Sequence, residues 1–129
     1  MADSSTLSAV RSRSDGELAV IYAGDYLNKL SGERIERECR RQLEAGCRAL
    51  IINFRETELV NSIGVSILLG VISVAEKTGA RLIFSDVNRQ TVQLFEMLGL
   101  TRHVALAKDE AEALSTLTQF ASASRATGH

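Results

Sequence analysis

The chain has 129 residues, of which 45% are hydrophobic, and a formal net charge of −1. A domain of this size can bury an apolar core without metals or disulfides, and the near-neutral charge without a clustered basic face argues against nucleic acid as a partner. The longest apolar run, 63–75, is shorter than the roughly 20 residues that span a bilayer, and no signal-peptide pattern precedes it, so we expect no membrane association and a cytoplasmic chain.

The cysteines and histidines do not suggest a metal site. Cys39 and Cys47 are spaced like neither a zinc knuckle nor a redox motif, and His103 and His129 have no histidine partner nearby in sequence. We therefore expect no metal and no cofactor.

The chain begins with two strand patterns joined by a short turn. Residues 7–13 interleave polar and apolar side chains, as an edge strand does, and residues 18–23 are mainly apolar. The Ser-Asp-Gly sequence at 14–16 is a turn signal, which predicts an antiparallel hairpin. Residues 1–6 are small and polar, and we expect them to be flexible.

A first helix pattern follows a loop predicted at residues 24–30. Ser31 is the predicted N-cap, and Gly46 is predicted to end the helix in a left-handed conformation. Apolar side chains recur every fourth residue, at Ile35, Cys39 and Leu43. This spacing predicts a buried stripe that includes Cys39, opposite a charged, solvated face.

The middle of the chain is its most apolar part. Residues 49–54 form a nearly continuous apolar strand, which is typical of the centre of a parallel sheet. After a predicted loop at 55–60, Asn61 or Ser62 should cap a helix that ends at Gly79. Apolar residues cover more than one face of this helix, so we expect it to be the most buried one.

The last third repeats the strand and helix pattern. Strands are predicted at 81–85 and 104–106, with a helix between them that Asn88 caps and Gly99 ends. That helix should turn four side chains inward: Val92, Phe95, Met97 and Leu98. Asp109 and Glu112 have the spacing of a capping box for a final helix.

The element order is β-β-α-β-α-β-α-β-α. It predicts a single α/β domain over residues 7–118, with a mixed, mostly parallel sheet of four to five strands and about four helices. The first hairpin should form an antiparallel edge. Residues 119–129 resemble a flexible tail.

Catalytic signatures are missing from the sequence. It contains no phosphate-binding P-loop, no dinucleotide-binding glycine motif and no nucleophile elbow. An enzyme with a site at the strand ends, lined by Arg55, Glu56 and Glu58, is the least favoured interpretation, because a fold alone implies no chemistry. We expect that the chain is not an enzyme.

The segment 50–70 is the most informative part of the sequence. It joins a buried strand through a short loop to Asn61-Ser62-Ile63-Gly64 at a helix start. A phosphate on Ser62 would add about −1.5 to −2 charges at a helix end that tolerates anions. A partner on that surface would then meet new charge and bulk, although capping alone also explains Asn and Ser at this position.

This segment resembles the signature of the STAS domain, the family of bacterial anti-sigma factor antagonists. The matching positions are Asn53 at the strand end, Ser62 as the phosphorylatable serine, and the helix glycines Gly64 and Gly70. Gly24, the Leu-Phe and Gly-Leu segment at 94–100 and the acidic last helix at 109–117 extend the resemblance. The sequence departs from the family pattern at Asn61, where aspartate is usual, and at Ile63, where a second hydroxyl residue is usual.

The resemblance implies a partner-binding role without a cofactor. Such a domain binds an anti-sigma factor that is also a serine kinase and so frees a sigma factor. Phosphorylation of the serine ends binding, and a serine phosphatase restores it. The expected contact residues are Asp25, Asn28, Glu58, Asn61, Ser62, Ile63, Gly64 and Val65.

An alternative within the same family stays open. The chain could be an unphosphorylated scaffold subunit of a stress-signalling or transport complex, which Asn61 in place of aspartate favours. The sequence leaves the identity of the partner and the oligomeric state undetermined.

Overall fold

The computed structural model describes the backbone of residues 10–127 and the side chains of residues 10–118. The strands are β1 Ser12–Asp15, β2 Leu18–Tyr22, β3 Tyr26–Leu27, β4 Ala49–Asn53, β5 Leu59–Val60, β6 Arg81–Ser85 and β7 Ala105–Ala107. The helices are α1 Lys29–Glu44, α2 Ser62–Thr78, α3 Arg89–Met97 and α4 Glu110–Thr127, with a 3₁₀ turn at Leu100–Arg102.

Five strands form the main sheet in the order β1-β2-β4-β6-β7. Only the β1–β2 pair is antiparallel, and the other three pairings are parallel. The predicted mixed sheet with an antiparallel edge hairpin is thus confirmed, as is the position of the apolar strand β4 between two parallel neighbours.

Each face of the sheet has its own core, because alternate strand side chains point to opposite faces. One core contains strand residues such as Ile21 and Ile52 with apolar residues of α1, α2 and α3. Three phenylalanines meet there edge to face, with ring centroids 5.2–5.6 Å apart: Phe54, Phe84 and Phe95. The second core places Val20, Ile51 and Ile83 against α4.

The small sheet of β3 and β5 was not predicted. Tyr26 pairs with Leu59 and Leu27 with Val60 in parallel, within segments that we expected to be loops. Strands of two residues are too short to produce a hydrophobic period, so the pattern could not reveal them.

Two boundaries near the N-terminus differ from the prediction. Ser14 and Asp15 belong to β1, and Gly16, with a φ of +65°, begins the turn instead. Asn28, rather than Ser31, is the N-cap of α1; Ser31 completes the capping box by accepting the backbone N–H of Asn28 at 2.9 Å. The predicted strand residues 7–9 and the N-terminal residues 1–6 lie outside the described part.

Four apolar residues that we expected to be buried are exposed. Met97 and Leu98 are 79% and 42% exposed, and both lie at the C-terminal end of α3, which ends at Met97. Ile63 and Leu69 of α2 are 53% and 39% exposed, so this helix buries a single face. The core position of Cys39, in contrast, is confirmed, and it is 1% exposed.

The final strand and helix are also displaced from the predicted limits. Strand β7 begins one residue later than expected, and α4 continues to Thr127, so most of the segment expected to be a loose tail is helical. The Asp109 carboxylate accepts the Glu112 N–H at 2.8 Å, as predicted for a helix cap. The Glu112 carboxylate reaches back to the N–H of Lys108 at 2.6 Å, one residue before the expected partner.

Candidate functional site

Ser62 is the first residue of α2 and its side chain is exposed. Asn61 caps the helix: its side-chain oxygen accepts the Gly64 N–H at 2.9 Å, and its carbonyl accepts the Val65 N–H at 3.2 Å. The N–H groups of Ser62 and Ile63 belong to the first turn, which has no preceding carbonyls to accept them. They give this end of the helix a partial positive charge.

The start of α2 is held against β3 by its backbone. The Asn61 N–H donates to the Leu27 carbonyl at 2.9 Å. Gly64 faces the same residue so closely that a Cβ atom would lie 2.9 Å from the backbone of Leu27 and from its Cγ. Only glycine fits at this contact, so the packing fixes the position of Ser62 relative to β3.

Exposed apolar side chains lie on the segments next to Ser62. Tyr26 and Leu59 are 40% and 63% exposed and pair across the small sheet, and Ile63 follows Ser62 in α2. The Asn61 side-chain amide donates to the Tyr26 hydroxyl at 3.4 Å, which joins the small sheet to the helix start. We call Tyr26, Leu59, Ser62 and Ile63 the Ser62 surface. Clustered exposed apolar residues of this kind are typical of protein interaction sites.

The structure brings most of the predicted contact residues to this end of the molecule. Asp25 and Glu58 are exposed and adjacent, because the Glu58 N–H donates to the Asp25 carbonyl at 2.9 Å. Asn28 is partly buried, and its side chain caps α1.

Two predicted contact residues are in the interior. Gly64 is buried and Val65 is 0% exposed, so neither side chain lies on the surface, and their contact with a partner stays a prediction. Both face inward on α2 and hold the helix start. Tyr26 and Leu59 lie in two loop segments, 25–29 and 56–60, that we expected to border the contact surface, but the sequence did not single them out; large apolar residues among loop residues were the available signal.

Asn53 connects the sheet to the loop that leads to Ser62. It is 4% exposed; its side-chain oxygen accepts the Arg55 N–H at 2.7 Å, and its amide donates to Glu110 Oε1 at 2.9 Å. The polar residue at the end of β4 therefore fixes both the loop and the first turn of α4.

Glu110 receives further hydrogen bonds from Arg13 and from the Tyr22 hydroxyl, the latter at 3.1 Å. Burial alone would raise the pKa of Glu110, but the hydrogen bonds from Arg13, Asn53 and Tyr22 outweigh burial and lower it. The carboxylate therefore stays ionised while it joins β1, β2, β4 and α4.

The described residues contain no group of three or more His, Cys, Asp or Glu side chains placed to hold a metal ion. No helix in that part of the chain has the length and apolarity needed to cross a membrane.

A family model described as the STAS domain matches residues 9–113. The chain belongs to the STAS domain family. The match contains every element from β1 to the first turn of α4, including the Ser62 surface. The family assignment made from the sequence is thus confirmed.

Solved STAS structures have the same fold at low sequence identity. SpoIIAA of Bacillus in the phosphorylated form is 22% identical, with a TM-score of 0.67 over 84% of this chain and 99% of its own. RsbS of Moorella thermoacetica is 18% identical, with a TM-score of 0.76 over 87% and 97% of the two chains. The STAS domain of a SulP transporter from Vibrio cholerae is 21% identical, with a TM-score of 0.69 over 85% and 88%. The fold is therefore shared by SpoIIAA, which is an anti-sigma factor antagonist, and by a transporter domain.

Proposed function

We propose that this STAS domain is a cytoplasmic anti-sigma factor antagonist without enzymatic activity of its own. It binds an anti-sigma factor that is a serine kinase, and this binding frees a sigma factor. Phosphorylation of Ser62 ends the binding, and a serine phosphatase restores it. The observation that carries the proposal is the exposed Ser62 at a capped helix start, on the same small sheet and helix end as the exposed apolar side chains of the Ser62 surface.

The physical basis of the switch is a change of charge on an apolar contact surface. Unmodified, the Ser62 surface offers Tyr26, Leu59 and Ile63 for burial. A phosphate would bring about −1.5 to −2 charges next to them, and burying that charge without a partner costs far more than burying a hydroxyl. The N–H groups of the first turn stabilise the anion, so the domain stays folded while binding is lost.

Relatives support this proposal by what their names state. A similar structure is that of the anti-sigma factor antagonist SpoIIAA in its unphosphorylated form, and the Bacillus protein has also been solved in the phosphorylated form. A protein of the same fold is thus known in both states. Transfer of this switch to the present chain rests on the position of Ser62.

An unphosphorylated scaffold is the second candidate, and Asn61 favours it. The side-chain oxygen of Asn61 caps Gly64 and its amide meets Tyr26, so neither atom is directed to the Ser62 hydroxyl. No carboxylate is hydrogen-bonded to that hydroxyl among the described residues. A STAS domain of similar fold also occurs in a SulP transporter, a setting that matches this alternative.

Mass spectrometry of the protein purified from its native cells tests the switch. Intact mass and peptide mapping across residues 61–77 should reveal a fraction with one phosphate on Ser62. Unmodified Ser62 under all growth conditions would refute the switch and favour the scaffold.

Binding measurements test the surface itself. The partner is captured from native lysate with the immobilised protein, identified as a serine kinase by its sequence and by ATP-dependent phosphorylation of Ser62, and then purified. Ser62→Asp should weaken its binding at least about tenfold, because an unpaired charge enters the contact. Ser115→Asp, on the exposed side of α4, is the matched control and should bind normally.

The apolar part of the surface requires its own variants. Leu59→Ala and Ile63→Ala should each weaken partner binding, since each removes an exposed apolar side chain from the Ser62 surface. Met97→Ala removes an exposed apolar side chain at the end of α3 and should leave binding unchanged. Equal effects of all three variants would refute the assignment of the surface.

A further inference from the structure

Strand β1 leaves one of its two long edges free. It stands at the end of the strand order and pairs with β2 alone, and no other strand of residues 10–127 pairs with it. Its residues match those of β2 one to one, without a bulge, and the chain contains no proline that could interrupt the edge. Native sheets often protect an edge by such devices, because a regular free edge can pair with another strand.

The hydrogen bonds to β2 show which backbone groups of β1 face the free edge. The Tyr22 N–H donates to the Arg11 carbonyl at 2.9 Å. In an antiparallel pair, residues that bond to the neighbouring strand alternate with residues that do not. Counting from Arg11, Ser12 and Ser14 therefore turn their N–H and C=O groups away from β2. Neither serine has a backbone hydrogen bond to a loop or a helix of the described chain.

The side chains of β1 give the edge a definite order of charges. Arg13 lies on the α4 face of the sheet, where its Nε donates to the Tyr22 hydroxyl at 3.3 Å and its guanidinium pairs with Glu110. Arg11 and Asp15 share this face, because strand side chains alternate. Asp15 is exposed and has no ion pair among the described residues. The Arg13 side chain is still 48% exposed, so both charges remain available to a neighbour.

This order of charges distinguishes the ways in which two copies of β1 can pair. A two-fold axis makes the two strands antiparallel, and backbone bonds form only where outward residues face outward residues. With Ser12 opposite the partner's Ser12, Arg11 faces the partner's Arg13. With Ser12 opposite the partner's Ser14, the two copies of Arg13 face each other. With Ser14 opposite the partner's Ser14, Arg13 faces the partner's Asp15, twice by symmetry. Like charges directly opposite are destabilising and opposite charges are favourable, so only the third register is complementary.

We infer that a second copy of this chain binds to β1 in the third register, which joins the two five-stranded sheets into one continuous sheet. Each Ser14 N–H donates to the carbonyl of the partner's Ser14, and each Arg13 guanidinium donates to the carboxylate of the partner's Asp15. Arg13 and the partner's Asp15 form a non-hydrogen-bonded backbone pair, in which opposite side chains are closest.

The contact closes on itself and is small. A two-fold contact uses the same edge on both copies, so assembly stops at the dimer. Because β1 has only 4 residues, the contact is smaller than a standard protein interface, and the dimer forms in a concentration-dependent way. No residue of β1 belongs to the Ser62 surface, so the inference does not rest on the proposed function.

Sedimentation equilibrium of the full chain from about 10 μM to about 1 mM tests the inference. The weight-average mass should rise toward twice the monomer mass as the concentration increases. Asp15→Arg sets arginine against arginine at both symmetric positions and should weaken the dimer at least about tenfold. Glu96→Arg makes the same change of charge on the exposed side of α3 and should dimerise like the unmodified chain.

A second pair of variants tests the backbone contact. Ser14→Pro removes an N–H that faces the free edge, leaves the β1–β2 hydrogen bonds in place and should abolish the dimer. Ser14→Ala keeps this N–H and should retain the dimer. Circular dichroism and urea unfolding establish that both variants are folded.

Single cysteines report the register. Opposite residues of a hydrogen-bonded antiparallel pair have Cα atoms about 5.5 Å apart, a distance that a disulfide can span. Ser14→Cys should therefore form a disulfide-linked dimer on mild oxidation, whereas Ser12→Cys, which lies opposite the partner's Gly16, should not. Cys39 and Cys47 are buried and do not compete.

Four outcomes would overturn the inference. They are a chain that stays monomeric at about 1 mM, an Asp15→Arg protein that dimerises as readily as Glu96→Arg, a folded Ser14→Pro protein that still dimerises, and a Ser12→Cys protein that links as readily as Ser14→Cys.

Discussion

Gly64→Ala is the sharpest test of how the fold positions Ser62. The added Cβ would lie 2.9 Å from the carbonyl carbon, the carbonyl oxygen and the Cγ of Leu27. Two of these atoms are backbone in β3, so they cannot yield by a rotamer change. Either α2 or β3 must move.

The expected loss follows from two opposing terms. Overpacking of this kind costs about 1–3 kcal/mol, whereas alanine in place of glycine in a helix gains up to about 1 kcal/mol. The net decrease in the free energy of unfolding should therefore be about 1–2 kcal/mol.

Gly70→Ala provides the matched control in the same helix. There the added Cβ meets a single atom, Glu36 Oε2 at 3.4 Å, which is the end of a flexible side chain. Alanine has a higher helix propensity than glycine, and no overpacking offsets that gain here. The free energy of unfolding should therefore rise by up to about 1 kcal/mol. The two variants should differ by about 2–3 kcal/mol, which corresponds to about 10 °C in Tm for a domain of this size.

Urea unfolding followed by circular dichroism measures both values. Gly64→Ala should in addition bind the proposed partner more weakly, because displacement at Leu27 moves the Ser62 surface. A Gly64→Ala protein as stable as Gly70→Ala would refute the contact with Leu27 as the element that fixes the helix start.

Three further predictions concern the cap, a buried carboxylate and the thiols. Asn61→Ala should lower the free energy of unfolding by about 1 kcal/mol, while Asn61→Asp keeps the capping oxygen and should cost less in the same urea assay. Burial raises the pKa of Glu38, but hydrogen bonds from Arg41, Gln42 and Ser12 outweigh it and hold that pKa below 4.5. Glu38 therefore stabilises the fold at neutral pH, and this contribution is lost as the pH falls from 4.5 through the folded-state pKa. In Glu38→Gln the free energy of unfolding should fall less steeply as the solution is acidified. An unchanged dependence on acid pH would contradict this. Burial raises the pKa of the Cys39 thiol to about 12, and Cys47 is buried too, so iodoacetamide should alkylate both only after unfolding in urea, as peptide mass spectrometry would detect.

The sequence determined the features that depend on local periodicity. The continuous apolar run of β4 required burial on both faces, and the capping residues Asn61 and Asn88 marked the starts of α2 and α3. The order of strands and helices then left a mostly parallel sheet with an antiparallel edge as the simplest arrangement. The position of Ser62 at a helix start followed from the same patterns.

The tertiary structure decided everything that depends on which segments meet. Leu59 and Tyr26 became a paired, exposed surface because two loop segments formed a parallel pair too short to leave a periodic signal. Val65 was turned inward and Ile63 outward by the rotation of α2 against β3, which the contact of Gly64 with Leu27 sets. Periodicity shows which side of a helix or strand is apolar. Contacts between segments distant in sequence decide which neighbour covers that side, so the site forms only in the folded chain.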